Sequence, residues 1–369
     1  MLSRVAENVY WMNRQIERAE NVARAVETAL DLAVEGTISQ GRLWNALVCT
    51  FGDQADFWAR HGLADQAHVI SFLSFEPGNP NSIASCLHAA RENARTVRDM
   101  ISTPMWEEIN KVHLYMQSAA QQYGGWLHPR EFLDEVKRAS QLITGVADAT
   151  MSHGEAWHFA RLGRLIERAD KTSRVLDVEH YFKPAAFRFA PPADSTTADP
   201  RSQAAFRFAP PADSTTADPH SQATAPVAPA EGGDEPPGGD AVQWSAVLES
   251  ASALEMYRKQ YGPVVRRNVA EFLIFDRFFP RTMHFCLIKA EESLLAITGG
   301  AKGAYTNPAE RRLGRLRSGL DYGHIDEVLA GDEGLHEFID GFQQRLNRAS
   351  DAVQETFFAT RPAGPVAEA

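Results

Sequence analysis

Arg14-Gln-Ile-Glu-Arg-Ala-Glu-Asn-Val-Ala-Arg24 has a second copy 150 residues later, Arg164-Leu-Ile-Glu-Arg-Ala-Asp-Lys-Thr-Ser-Arg174. Six of the eleven positions are identical, namely the pairs Arg14/Arg164, Ile16/Ile166, Glu17/Glu167, Arg18/Arg168, Ala19/Ala169 and Arg24/Arg174. Around both copies, apolar residues recur at steps of three and four, which is the period of one helix face. The sequence therefore predicts two long helices that carry the same charged cluster, in the same register, to a buried seam.

The charged residues of these helices allow two interpretations. The simpler one is solvated pairing within each helix, worth about 0.2–0.5 kcal/mol per pair. The acid-to-base pairs at spacing i,i+4 are Glu20/Arg24, Glu167/Lys171 and Asp170/Arg174. This does not explain the repeated Glu-Arg dipeptide, because neighbours in a helix point about 100° apart and cannot pair with each other. The alternative is that two polar faces meet each other or share a ligand.

A second cationic face lies on the most regular apolar pattern of the chain, a predicted helix over about 82–101. Arg91, Arg95 and Arg98 follow each other by four and three, with Glu92 and Asp99 beside them. Solvated salt bridges are the simplest interpretation, since such pairs are common and weak on protein surfaces. A face turned toward an anionic ligand is the alternative.

The segment 183–240 differs in composition from the rest of the chain. It holds 11 of the 20 prolines, and residues 185–203 are repeated as 204–222 with a single difference, Arg201/His220. Such sequence is typical of disorder. We predict an all-α multi-helix bundle in which 1–182 and 241–360 form one domain, 183–240 is a long disordered insertion and 361–369 a flexible tail.

Composition excludes several classes of function. A net charge of −11 with a pI near 5.6 argues against sequence-independent binding to nucleic acid, and no apolar run is long enough to span a membrane. Three scattered cysteines, Cys49, Cys86 and Cys286, favour reduced thiols in a cytoplasmic protein. Two Glu-x-x-His fragments, at 155–158 and 333–336, are close to the number expected by chance. We therefore predict no metal and no cofactor.

Several short motifs carry a resemblance to a known family. Besides the Glu-Arg runs, these are Glu7-Asn-Val-Tyr-Trp, Asn79-Pro-Asn-Ser-Ile, Met105-Trp-Glu, Gln243-Trp-Ser and Phe279-Pro-Arg. The chain resembles the bacterial alpha-E domain family over nearly its whole length. It departs from the family pattern at Asn13, where a small residue such as Gly163 of the second copy is usual, and in the length of 183–240.

The resemblance has implications for fold and function. It implies a helical domain encoded beside, or fused to, ATP-grasp-type ligases and transglutaminase-like peptidases. Both kinds of enzyme act on peptide or amide bonds, so these are the expected partners. A peptide, carboxylate or phosphate ligand is compatible with the arginines of the clusters.

Three hypotheses for function remain open. The first is an accessory or substrate-holding subunit of a system that forms peptide or amide bonds, without catalytic activity of its own. The second is an enzyme in which Glu17 or Glu167 is the general base and arginines hold an anion. The third is a structural bundle in which buried Glu-Arg pairs cross-link helices. The lack of a catalytic Cys, Ser or metal constellation in the sequence favours the first.

The candidate functional residues are the charged side chains of the three helical clusters: Arg14, Glu17, Arg18, Arg24, Arg164, Glu167, Arg168, Arg174, Arg91, Glu92, Arg95, Arg98 and Asp99. If they form a recognition or catalytic surface, all three clusters should line one cleft. If they only cross-link helices, Glu17 and Glu167 should be saturated by arginines.

Overall fold

The computed structural model describes residues 1–122, 129–178, 180, 239–331 and 334–359, and every regular element in these ranges is helical. The all-α prediction is therefore confirmed. The first eight helices are α1 (Ser3–Glu35), α2 (Gln40–Phe51), α3 (Gln54–His61), α4 (Gln66–Ser74), α5 (Ile83–Thr96), α6 (Thr103–Gln122), α7 (Pro129–Thr150) and α8 (Glu155–Leu176). The others are α9 (Gly239–Ser250), α10 (Leu254–Tyr261), α11 (Arg266–Phe275), α12 (Met283–Thr298), α13 (Pro308–Tyr322), α14 (Ile325–Val328) and α15 (Gly334–Val353), the last followed by a π-helical turn at Gln354–Phe358.

The predicted disordered insertion lies outside the described residues, apart from its last two positions. Gly239 and Asp240 begin α9. The predicted flexible tail also lies outside them, as does the first residue of the second Glu-x-x-His fragment. Among the described residues, no helix combines the length and apolarity that crossing a bilayer requires.

The two Glu-Arg helices, α1 and α8, pack side by side and run parallel. Near their N-terminal ends, a Cβ atom added at Gly163 would lie 2.4 Å from the carbonyl oxygen of Tyr10. Near their C-terminal ends, Leu32 of α1 and Val175 of α8 line one cavity. Only glycine permits the close approach at 163, because any other residue would place a Cβ atom against the backbone of α1. The two helices are therefore adjacent, which brings their two charged clusters together.

The twin of Gly163 in the first copy is Asn13, the departure noted from the sequence. Its side chain is buried and donates from Nδ2 to the carbonyl oxygen of Val9, at 3.1 Å. The amide is thus partly satisfied within its own helix. At this position α1 therefore accommodates a larger side chain, whereas α8 needs a glycine.

A second internal repeat, with an offset of 200 residues, connects the elements that follow each Glu-Arg helix. The positions of α3 and α10 match residue for residue, and α2, α4 and α5 correspond to α9, α11 and α12. The twin aromatic residues Trp44/Trp244, Phe57/Tyr257 and Phe72/Phe272 are all buried in the core. The offset grows from 150 to 200 because the extra residues lie between α8 and α9, where the first half has only a short connection between α1 and α2.

The loops before α5 and α12 show the same repeat in their hydrogen bonds. Ser82 and Thr282 are the N-caps, and their hydroxyls accept from the backbone N–H three residues later. Each hydroxyl also donates to a carbonyl oxygen six residues earlier, at Glu76 and Asp276. These caps fix where α5 and α12 begin, and so place the preceding residues, Asn81 and Arg281, against the central helices.

Candidate functional site

Glu167 of α8 is the most enclosed carboxylate of the site, with 0% of its surface exposed. Arg18 of α1 binds it in bidentate fashion, from Nε to Oε1 at 2.6 Å and from the terminal nitrogen to Oε2 at 3.1 Å. Arg14, one turn earlier on α1, donates from Nε to Oε2 at 2.8 Å. Lys171 of α8 lies 3.6 Å from Oε1. Glu167 therefore holds α1 against α8.

Glu17 of α1 repeats this arrangement in the opposite direction. Arg168 of α8 binds both of its carboxylate oxygens, at 2.8 and 2.7 Å. Asn21 donates to Oε1 at 2.8 Å, and Arg281, in the loop before α12, lies 3.4 Å from the same oxygen. The two helices thus exchange guanidinium–carboxylate pairs across their interface. This explains the repeated dipeptide: within each copy, the glutamate and the arginine both pair with the other helix.

A second layer of carboxylates, Glu20 and Asp170, extends the network by one turn. Arg24 and Ser140 donate to Glu20, at 2.7 and 2.6 Å, and Arg281 pairs with the same carboxylate. Asp170 accepts from Arg174 at 2.9 Å and lies 3.1 Å from Lys171. The i,i+4 pairs predicted from the sequence therefore form. The pairs of Glu20 and Asp170 belong to a largely buried network, whereas the simpler interpretation placed them on a solvated surface.

The two halves supply an additional cation from different elements. Lys171 reaches Glu167 and Asp170 from within α8, whereas the twin position on α1 is the neutral Asn21. In the other half, Arg281 reaches Glu17 and Glu20 from the start of α12. The twin of Arg281 is Asn81, whose side chain accepts from Arg18 at 2.7 Å. Lys171 at Glu167 and Arg281 at Glu17 thus each add a cation to a buried carboxylate, but from positions that are not equivalent.

Three carboxylates of the network, Glu17, Asp170 and Glu167, are ionised well below neutral pH. Burial would raise the pKa of Glu17, but Arg168 and Arg281 outweigh it and lower the pKa to about 2. Burial opposes ionisation of Asp170 too, yet Lys171 and Arg174 lower its pKa to about 2. The pKa of Glu167 is lowered as well, by Arg14 and Arg18 against the effect of burial. These groups are anions in the folded chain.

Stability should therefore depend on pH in acid solution. Carboxylates of an unfolded chain titrate near pH 4, above the folded pKa of about 2 for Glu17 and Asp170. Between these limits the unfolded chain binds more protons than the folded one, so the free energy of unfolding falls as the pH falls. We expect the urea midpoint to be constant above about pH 5 and to drop progressively toward pH 2.

Urea titrations monitored by circular dichroism at a series of pH values would measure this dependence. A Glu17→Gln variant should show a shallower slope, because it lacks one of the titrating groups. A midpoint that stays flat from neutral pH to pH 3 would contradict the assignment.

The face formed by Arg91, Glu92, Arg95, Arg98 and Asp99 is not brought to this network by any contact among the described residues. Arg91 donates to Asn110 and Glu92, Arg95 pairs with Glu92, and Arg98 lies over the ring of Trp106 at 4.9 Å. Asp99 is exposed. The structure thus places this face between α5, α6 and solvent, apart from the Glu-Arg pairs.

The candidates derived from the sequence did not include Glu20, Asp170 and Lys171, which were expected only as i,i+4 partners. They also did not include two loop residues of the network, Asn81 and Arg281. Both stand directly before an N-cap in a loop, where neither helical periodicity nor i,i+4 spacing applies. The signal that could have identified them is the 200-residue repeat, in which Pro80-Asn81-Ser82 aligns with Pro280-Arg281-Thr282. Both prolines lie six residues before a buried cysteine, Cys86 or Cys286.

Comparison with known proteins agrees with this architecture. Two curated relatives, both described as uncharacterized, come from Mycobacterium bovis and Mycobacterium tuberculosis; each is 24% identical to the chain over 190 residues. Each match covers 45% of this chain and 21% of the relative, so the chain matches about a fifth of these longer proteins. No solved structure gives a significant match. A family model described as a predicted alpha-helical domain with a conserved ER motif matches residues 1–203 and 212–358, and the chain therefore belongs to the Alpha-E family.

Proposed function

We propose that the chain is an accessory, substrate-holding module of a system that forms peptide or amide bonds, and that it is not itself the catalyst. The observation that carries the proposal is that Glu17 and Glu167 are buried and already paired. Both are at most 1% exposed, and both are occupied by guanidinium groups of the facing helix. The Glu-Arg motif then builds the scaffold on which the module depends.

The enzyme hypothesis is disfavoured by the same geometry. A general base must reach the proton that it accepts and is most effective with a pKa near the working pH. Glu17 accepts hydrogen bonds on both oxygens from Arg168 and has a pKa of about 2. The buried thiols are poor nucleophiles, because burial raises the pKa of Cys86 and Cys286 to about 12.

Two observations support a role alongside other proteins. The family resemblance implies ATP-grasp-type ligases and transglutaminase-like peptidases as genetic neighbours or fusion partners. The Mycobacterium relatives are much longer than their matched regions, so sequence of this kind also occurs within larger polypeptides. A helical module whose motif glutamates are enclosed is suited to holding a substrate for such an enzyme.

Reconstitution with the ATP-grasp-type ligase encoded nearest to this gene tests the proposal. We expect ADP release and amide formation by the ligase to rise when the chain is added. We expect no ATP or peptide turnover by the chain alone. The variant Glu92→Gln, which alters only the exposed face of α5, should support the ligase like the unmodified chain.

Two results would contradict the proposal. Turnover by the purified chain alone, abolished in a folded active-site variant, would make it an enzyme. A ligase that neither binds the chain in sedimentation experiments nor responds to it would remove the accessory role.

A further inference from the structure

Arg164 of α8 is a half-buried cation without an ion-pair partner among the described residues. Its Nε atom is inaccessible to solvent and has no hydrogen-bond partner, and no ion pair joins its guanidinium to a carboxylate. The residue as a whole is partly exposed, so one side of the guanidinium remains within reach of solvent. Native proteins rarely leave such a donor unsatisfied, because desolvating a charged group without pairing it costs stability.

Arg14, the equivalent residue of the first copy, has the hydrogen-bond partners that Arg164 lacks. Its guanidinium binds Glu167, donates to Ser350 at 2.8 Å and lies beside the hydroxyl of Tyr10. Arg14 is therefore satisfied by a carboxylate and two hydroxyl groups.

The residues that correspond to the partners of Arg14 do not bind Arg164. The carboxylate equivalent to Glu167 is Glu17, whose oxygens are already taken by Arg168, Asn21 and Arg281. The twin of Tyr10 is Ala160, which has no hydroxyl. Arg281, in the loop before α12, approaches Glu17 as its second cation beside Arg168.

The charges around Arg164 also favour the binding of an anion. Among the contacts of the described residues, seven cations surround the four carboxylates of the network, so cations outnumber carboxylates there before Arg164 is counted. Burial lowers the pKa of Arg164, and the neighbouring Arg168 lowers it further. Glu17 and Asp148 lie near enough to act in the opposite direction, but neither forms an ion pair with Arg164. An added anion would relieve this excess.

We propose that Arg164 binds a carboxylate group supplied from outside the chain, in the place that Glu167 takes at Arg14. Bidentate geometry favours a carboxylate on a guanidinium, and the twin site holds a carboxylate. This inference rests on the proposed function in assigning the carboxylate to the held substrate, a peptide or amino acid that ends in a free carboxyl group. A side-chain carboxylate of the partner ligase is the other source of the same chemistry.

Side-chain NMR of arginine Nε–Hε groups in the full chain tests the site directly. The probes are N-acetylalanine, its amide, and inorganic phosphate. We expect N-acetylalanine to shift the Arg164 resonance in a saturable way, and the neutral amide to leave it unchanged. The Arg164 resonance is identified by its absence in Arg164→Gln. Equal shifts with the amide, no shift with N-acetylalanine, or tighter binding of phosphate would each overturn the carboxylate assignment.

Thermal unfolding of matched variants provides an independent arm. Arg164→Gln removes an unpaired charge and should leave the melting temperature unchanged or higher, whereas Arg14→Gln breaks the buried pair with Glu167 and should lower it by several degrees. Equal destabilisation by the two variants would make Arg164 structural and overturn the proposal.

The two sources of the carboxylate are separated by adding the ligase without substrate. A shift of the Arg164 resonance under that condition assigns the carboxylate to the partner and overturns the assignment to substrate. A chain that activates the ligase but binds no N-acetylalanine would overturn this inference while leaving the proposed function intact.

Discussion

Glu167→Gln is expected to lose about 3–5 kcal/mol of unfolding free energy, because removing one partner leaves the others as buried, uncompensated charges. Glutamine preserves the shape of the side chain and part of its hydrogen bonding. It cannot neutralise Arg14, Arg18 and Lys171, all of which face this one carboxylate. Chemical denaturation followed by circular dichroism measures the loss, and the slope of the transition reports whether the unfolding remains two-state.

The exposed pairs of α5 offer a matched control for this variant. Glu92 also pairs with two arginines, Arg91 and Arg95, but it lies at the surface. The same change there, Glu92→Gln, should cost no more than about 1 kcal/mol, because exposed ion pairs contribute little. Similar losses for the two variants would show that the enclosure of Glu167 has no energetic consequence, contrary to this account.

Gly163→Ala should destabilise the chain by about 1–3 kcal/mol or more, through overpacking between the two central helices. The added methyl group would lie 2.4 Å from a backbone oxygen of Tyr10, which cannot move aside without shifting α1. Such a shift would also lengthen the ion pairs of Glu17 and Glu167. Differential scanning calorimetry measures the effect.

Gly145→Ala is the control for the glycine substitution. Gly145 lies inside α7, and a Cβ atom added there would meet nothing within 4 Å. Alanine should stabilise that helix by about 0.5–1 kcal/mol, because glycine is the poorer helix former. If Gly163→Ala changed the unfolding free energy as Gly145→Ala does, the close packing of α1 against α8 at Gly163 would be contradicted.

The sequence predicted the parts of this structure that depend on local periodicity. The apolar stripes indicated α1 and α8, and the repeated register placed Glu17 and Glu167 at one interface. The i,i+4 pairs of Glu20 and Asp170 also follow from spacing alone. The burial of these pairs could not be predicted from the spacing, because acid–base spacing is the same on a solvated helix face and in a core. This is why the arginines of α5 were grouped with those of α1 and α8, although Arg95 lies in solvent.

Arg281 could not be predicted from spacing, because it joins Glu17 from 264 residues away. Its place depends on the loop before α12 and on the N-cap at Thr282. The corresponding loop before α5 carries an asparagine, so even the internal repeat does not indicate a cation there. For Arg164 the internal repeat misleads. It predicts an arginine paired like Arg14, but Arg281 binds Glu17 and Arg164 has no ion-pair partner among the described residues.

The additional cations, Lys171 at Glu167 and Arg281 at Glu17, stand at positions that are not equivalent, and this bears on how the two halves diverged. If two similar halves were once joined in tandem, each would have begun with the same residue at 21 and 171 and the same residue at 81 and 281. The present chain has asparagine at 21 and 81, lysine at 171 and arginine at 281. Because a carboxylate at this interface needs a cation from one of the two positions, we expect these four sites to change together. In sequences that descend from the same fusion, a neutral residue at 281 should therefore be accompanied by a basic residue at 21.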